Sequence, residues 1–210
     1  MKTEYTVAPL DEHPDRTRLL PGVLEWVLEA GNPYLEWFFG SPDNARSALA
    51  HWIERDSSEV SSRNVQLVAT GNGEVIGGFI AMDGKTLRAA RSADTVALAA
   101  RCTAAEKAAL FDKMRASRML FRAPEPHEYY LSKMGVLPSI RGQGHGRAVV
   151  EAYLSAGRNK GLDVFSLDVA RNNSSARRLY ESVGFETIAE SEVQETTLAY
   201  LSMVRKNRSG

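Results

Sequence analysis

A chain of 210 residues, 43% hydrophobic and 25% charged, has the composition of an ordinary globular protein and the length for one well-packed domain. Its 26 Lys and Arg balance 26 Asp and Glu, and a formal net charge of zero argues against a nucleic-acid binder that works through bulk electrostatics. A single cysteine, Cys102, excludes an intramolecular disulfide framework, and no Cys/His cluster has zinc-like spacing. No apolar run has the length of a signal peptide core or a membrane span, so a cytoplasmic protein without metal, membrane or nucleic-acid partner is expected.

Residues 3 to 8 alternate well enough for a short strand. From Arg16 to Ala30 the apolar residues Leu19, Leu20, Val23, Leu24, Val27 and Leu28 recur at three- and four-residue steps, which predicts an amphipathic helix, irregular near Pro21. Another helix begins with Ser41 as N-cap and Pro42 at its first position. Two β-type runs flank Gly71-Asn72-Gly73 as a hairpin. Residues 88 to 122, rich in Ala, Leu, Arg and Lys and free of Gly and Pro, predict one or two inserted helices, with Thr103 and Glu106 spaced as a capping box. A strand opening at Glu128, a glycine loop, a helix to about Lys160, a strand "DVFSLDVA", a helix stopped by Gly184 and two antiparallel strands complete the chain. The strand–helix–strand crossover makes a parallel pair. The fold class is therefore α/β (α+β), with helices packed on a mixed sheet.

The stretch "LPSIRGQGHGRAVV" places Gly142, Gly144 and Gly146 at alternate positions between that strand and helix. Glycine is costly to order, so three in five residues require a reason. A nucleoside-triphosphate loop needs Gly-Lys-Ser/Thr, where Gly146 is followed by Arg147-Ala148; the dinucleotide fingerprint fails at Arg147 and Val149. A tight turn alone is one remaining reading. The other is an anion cradle: the first amides of a helix lack backbone acceptors and its dipole favours negative charge.

The form Arg141-Gly142-Gln143-Gly144-His145-Gly146 resembles the acyl-coenzyme A pyrophosphate loop of the GNAT superfamily of N-acetyltransferases. A second stretch, "NSSARRLYESVGF", resembles that family's Asn-x-x-Ala-x-x-Leu-Tyr-x-x-x-Gly-Phe signature through Asn173, Ala176, Leu179, Tyr180, Gly184 and Phe185. The two together cover about residues 128 to 190. The resemblance implies a GNAT fold over 1–210, its mostly antiparallel sheet carrying a central splayed parallel pair with helices on both faces. The insertion at about 88–122 and the aromatic stretch "NPYLEWFFG" depart from a minimal domain of the family, and both lie where such enzymes tend to build the acceptor site.

The resemblance further implies acetyl-CoA as co-substrate. Backbone groups of Met134 and Val136 would bond the pantetheine arm, Arg141 to Arg147 the pyrophosphate, and Asn173 the arm from the other side; Asn173 also suits a plain helix N-cap. An N–H near Val136 would stabilise the tetrahedral oxyanion. Tyr180 matches the general acid toward sulfur in many members, and an aromatic anchor is the other reading of it. Glu128, thirteen positions before Arg141, is the first candidate for the base that deprotonates an acceptor ammonium, against a merely solvated carboxylate. His127 points to the opposite strand face and Tyr130 shares the face of Glu128. His145 belongs to the loop, and His13 and His51 have no supporting context.

Cys102 has Arg101 beside it but no histidine in its immediate context, so direct attack in a ternary complex is favoured over a covalent acyl-thiol. The expected reaction is acetyl transfer to a primary amine of a small molecule. A non-catalytic acyl-CoA sensor, another acyl group, or a protein amine are the alternatives. Trp26, Tyr34, Trp37, Phe38, Phe39 and Trp52 are read either as lining an acceptor pocket or as core. Homodimerisation through the terminal strands is a family habit that the sequence does not display.

Overall fold

The structure, a computed structural model, describes residues 5–194 and 196–207. Strand β1 (Tyr5–Pro9) covers most of the expected first strand, while Thr3 and Glu4 lie outside the described residues. Helix α1 (Arg16–Gly31) runs through Pro21, its buried face of Leu19, Val23, Trp26, Val27 and Leu28 outweighing the one lost backbone bond. The aromatic stretch forms its own short helix, α2 (Tyr34–Phe39), ended by Gly40. Helix α3 (Pro42–Trp52) starts as expected, the Ser41 hydroxyl oxygen accepting from the Asn44 amide at 3.2 Å. The hairpin is β2 (Val65–Thr70) and β3 (Val75–Asp83).

The segment expected to hold one or two helices holds two, α4 (Gly84–Ala99) and α5 (Ala104–Leu120). Asp83 caps the first through the amides of Lys85 and Thr86, and Thr103 and Glu106 form the reciprocal capping box of the second. Then come β4 (Glu128–Val136), α6 (His145–Asn159), β5 (Val164–Ala170), α7 (Ser174–Ser182), β6 (Glu186–Glu192) and β7 (Ala199–Lys206). Strand order is β1-β2-β3-β4-β5-β7-β6, a mixed seven-stranded sheet in which β4 and β5 are the parallel pair.

The chain divides into two compact units, Met1–Met82 with Leu131–Gly161 and Asp83–Tyr130 with Leu162–Gly210. In the first, β1 and β2 pair antiparallel from Tyr5–Thr70 to Pro9–Gln66, and β2 pairs antiparallel with β3 across a register shift at Val68/Ala69. Its core holds Val23, Trp26, Leu49, Leu67, Phe79 and Tyr153, the last two rings edge to face at 5.9 Å. That contact seats α6 on β3, because Val149, Val150, Tyr153 and Leu154 form one buried face of the helix.

In the second unit, β5 and β7 pair antiparallel from Val164–Lys206 to Ala170–Tyr200, and β7 continues to β6. Phe165, Leu167, Tyr180, Phe185 and Met203 are buried there. Strand β6 is largely exposed, and its Glu190 and Glu192 are paired to Arg171, charges that discourage pairing with a foreign strand.

Close approach of backbones requires glycine at position 77. A Cβ on Gly77 would lie 2.3 Å from the Gly135 carbonyl oxygen and 2.9 Å from the Val136 Cα, so β3 and the end of β4 could not keep their spacing. Gly77→Ala is expected to cost about 2–3 kcal/mol, near the upper end for overpacking, and to lower the melting temperature by roughly 5–10 °C in a thermal unfolding scan.

Candidate functional site

The glycine loop leaves β4 at Val136 and enters α6 through a 3-10 turn at Pro138–Ile140. Gly142 and Gly144 hold φ +78° and +83°, and a Cβ on either would meet nothing within 4 Å. Backbone conformation requires glycine there, while the space beside both stays open. Gly144 is the N-cap of α6 and offers no side-chain hydrogen bond to the first turn. The Arg147 amide bonds the Gly144 carbonyl at 3.3 Å, and the His145 and Gly146 amides before it lie without a side-chain cap at the positive end of the dipole of this 15-residue helix.

Two guanidinium groups flank these donors. Arg141 bonds the Val136 carbonyl through Nε at 3.1 Å and grips Glu29 with both terminal nitrogens; Arg147 reaches Glu151 at 2.9 Å. All four side chains are substantially exposed, so these pairs are worth about 1 kcal/mol or less and exchange readily for a stronger anion. Gln143 is exposed, His145 and Gly146 are half-buried, and Met134 and Val136 are half-buried on β4. The loop and helix start thus fit a diphosphate: open glycine backbone, uncapped amides and two arginines.

In the second unit the Asn173 carboxamide oxygen accepts from the Ala176 amide at 3.1 Å, so Asn173 is the N-cap of α7 and remains exposed. Tyr180, two turns along that helix, is buried with its ring against Phe185 at 5.9 Å. Burial pushes its phenol up to about 12, which keeps it protonated through the neutral range.

Glu128 is not solvated. It is buried at the start of β4 and paired with Arg122 at 2.5 Å, while His127 beside it is exposed. Tyr130, on the same strand face, donates to Asp168 Oδ2 at 2.9 Å, and Ser202 donates to Asp168 Oδ1 at 2.5 Å. Asp168 and Ser202 are register partners across β5 and β7. The Arg91 guanidinium lies 5.2 Å from the Tyr130 ring centroid, within cation–π distance. Desolvation raises the Asp168 pKa above the ordinary carboxylate value, against the lowering effect of both hydroxyls and of Arg91 and Arg122. The sequence analysis does not single out Asp168, Ser202, Arg91 or Arg122; the one charged residue inside strand 164–170, Asp168, is the available signal.

Trp26 belongs to the core, whereas Tyr34, Trp37, Phe38, Phe39 and Trp52 form a half-buried run of tilted and edge-on ring contacts on α2 and α3. The Cys102 thiol donates to the Leu98 carbonyl at 3.3 Å, and His13 accepts from the Asp15 amide. Among the described residues there is no group of three or more His, Cys, Asp or Glu placed to hold a metal ion. No helix among them is long and apolar enough to cross a membrane.

The Acetyltransferase (GNAT) family pattern matches residues 32–185. This chain belongs to the GNAT acetyltransferase family. Over 52 residues it is 50% identical to a mycothiol acetyltransferase of Thermobispora bispora, a match covering 25% of this chain and 18% of that protein. Over 63 residues it is 36% identical to a thialysine N-epsilon-acetyltransferase of Mus musculus, covering 30% and 37%. In each case the chain spans well under half of the relative's length. The fold is that of an N-acetyltransferase from Staphylococcus aureus Mu50, with TM-score 0.63 over 95% of this chain and 100% of that one at 17% identity.

The GNAT match crosses both compact units and contains the loop, Asn173 and Tyr180. The cap at Asn173 has a measurable consequence of its own. Asn173→Ala removes the bond to the Ala176 amide and is expected to cost about 1 kcal/mol, read as a shift in the denaturant midpoint with an unchanged slope.

Proposed function

We propose that this GNAT protein is a single cytoplasmic acetyltransferase domain that moves an acetyl group from acetyl-CoA to the primary amine of a small molecule by direct attack in a ternary complex. The observation that carries the reading is the uncapped start of α6 behind Gly142 and Gly144, within a stretch that the family pattern covers. The named activities of the two partial relatives, on mycothiol and on the ε-amine of thialysine, support a small-molecule acceptor here.

The loop from Arg141 to Arg147 binds the pyrophosphate through its backbone amides, with Arg141 and Arg147 released from Glu29 and Glu151 to add charge. Met134 and Val136 bond the pantetheine arm along the strand edge, and Asn173 and Ala176 contribute from the start of α7. The acceptor ammonium first loses a proton to a carboxylate of the cluster that contains Glu128. Its lone pair then attacks the thioester carbonyl, and an N–H near Val136 steadies the oxyanion.

Collapse of the tetrahedral species breaks the C–S bond, and the Tyr180 phenol serves the departing thiolate. A phenol at about 12 is a weaker acid than a thiol near 8.5, so its main contribution is a hydrogen bond that strengthens as charge develops on sulfur. Tyr180→Phe is therefore expected to lower kcat by about 10²-fold with little change in acetyl-CoA affinity. Because burial raises this phenol above its usual value of about 10, its neutral, donating form persists well above pH 10, and it adds no basic limb to the rate profile between about pH 6 and 10.

The decisive assay is thiol release from acetyl-CoA across a panel of small amines, with a peptide amine and propionyl- and succinyl-CoA for comparison. Turnover on a small amine that falls in the Tyr180→Phe variant supports the proposal. Tight acetyl-CoA binding without thiol release on any amine overturns it in favour of an acyl-CoA sensor.

A further inference from the structure

The second unit holds two carboxylates that differ in what surrounds them. Glu128 is buried and lies 2.5 Å from the half-buried Arg122 guanidinium, so its carboxylate is committed to an ion pair. Asp168 is half-buried, and each of its oxygens accepts from a neutral hydroxyl, Tyr130 at 2.9 Å and Ser202 at 2.5 Å.

The charged and titratable groups that act on Asp168 are Tyr130 from β4, Arg91 from α4 and Arg122 from the segment after α5, with Glu128 of β4 paired to that Arg122. Ser202 on β7 contributes its hydroxyl. The arginines act on Asp168 at a distance and favour its charged form, while burial opposes it and prevails. The two carboxylates thus differ in partner: Glu128 is engaged by a guanidinium, whereas Asp168 is held by two neutral hydroxyls.

We propose that Asp168, reached through the Tyr130 hydroxyl, is the proton acceptor for the acceptor ammonium, and that Glu128 holds Arg122 in place. The step rests on the acetyltransferase reading. In it, an N–H bond of the ammonium breaks as its proton forms a bond to Tyr130 Oη, and the proton already on that oxygen passes to Asp168 Oδ2. The amine is left neutral with a free lone pair, Tyr130 is unchanged, and Asp168 ends as a carboxylic acid. Tyr130 is thereby a relay, and Ser202 is a positioning residue that favours the charged, proton-accepting form of Asp168.

The test uses the full chain, acetyl-CoA and whichever small amine turns over, with kcat followed from about pH 5 to 10. Asp168→Asn is expected to lower kcat by about 10²–10⁴-fold and remove the acid limb, with Asp168→Glu restoring part of the rate. Tyr130→Phe is expected to lower kcat in the same direction. Should Asp168→Asn fail to fold, Ser202→Ala decides: loss of a donor to the carboxylate raises its pKa, so the acid limb moves to higher pH. An unmoved limb in a folded Ser202→Ala variant overturns the proposal. So does Asp168→Asn that keeps the wild-type limb while Glu128→Gln loses it. These failures occur with an active wild-type protein, whereas wild-type protein without thiol release on any amine overturns the acetyltransferase reading and this step with it.

Discussion

An unfilled helix start is the constraint on which the rest of the site depends. Ser41, Asp83, Thr103 and Asn173 each supply a side-chain oxygen to the first turn of a helix, and each such cap is worth about 1 kcal/mol. Helix α6 begins at Gly144 and forgoes that stabilisation. Its opposite resource is a strongly buried face, with Val149, Val150 and Tyr153 at 0% exposure. Packing of that face holds the helix in place of a cap, so the direction of its first turn is set by the core. A capping side chain at position 144 would need negative φ in the extended region, whereas the loop requires φ +83° there. The turn that opens the cradle thus excludes the cap that would fill it.

Charge around the cradle is arranged to be exchangeable. Arg141 and Arg147 lie in exposed pairs with Glu29 and Glu151, which keep the loop electrically quiet and the side chains extended beside the glycines. A diphosphate offers each guanidinium a stronger acceptor than a solvated carboxylate, and backbone amides add to it. The second unit shows the contrary design. There Glu128 has 8% side-chain exposure beside Arg122, and Tyr180 is buried as a neutral phenol. The loop's ion pairs are screened by water, whereas the Glu128–Arg122 pair and the Tyr180 phenol are largely withdrawn from it.

Much of this was legible in the sequence because it is local. The Ser41, Thr103 and Asn173 caps are each specified by residues within four positions of one another, and each forms as read. The helix through Pro21 was also legible, because periodic apolar residues on both sides of the proline outnumber its single missing donor. What escaped was non-local. Asp168 finds Ser202 only through the register of β5 on β7, 34 residues apart, and finds Tyr130 from a strand 38 residues earlier. The burial of Glu128 likewise follows from Arg122, whose position depends on where α5 ends. No periodicity within one element carries that information.

The inserted helices explain why this unit has a polar interior at all. Strands β5 and β7 would, on their alternation, bury an apolar face with Phe165, Leu167 and Met203 and turn Asp168 and Ser202 to the other side. Helix α4 brings Arg91 over the Tyr130 ring, and the exit of α5 brings Arg122 to Glu128. Both helices are firmly started, by Asp83 and by the Thr103–Glu106 box, so the arginines they deliver are held in place. Arg122 supplies the counter-charge of Glu128, and both arginines favour the charged form of Asp168. The segment that departs from a minimal GNAT domain is therefore the one that places guanidinium groups against Tyr130 and Glu128.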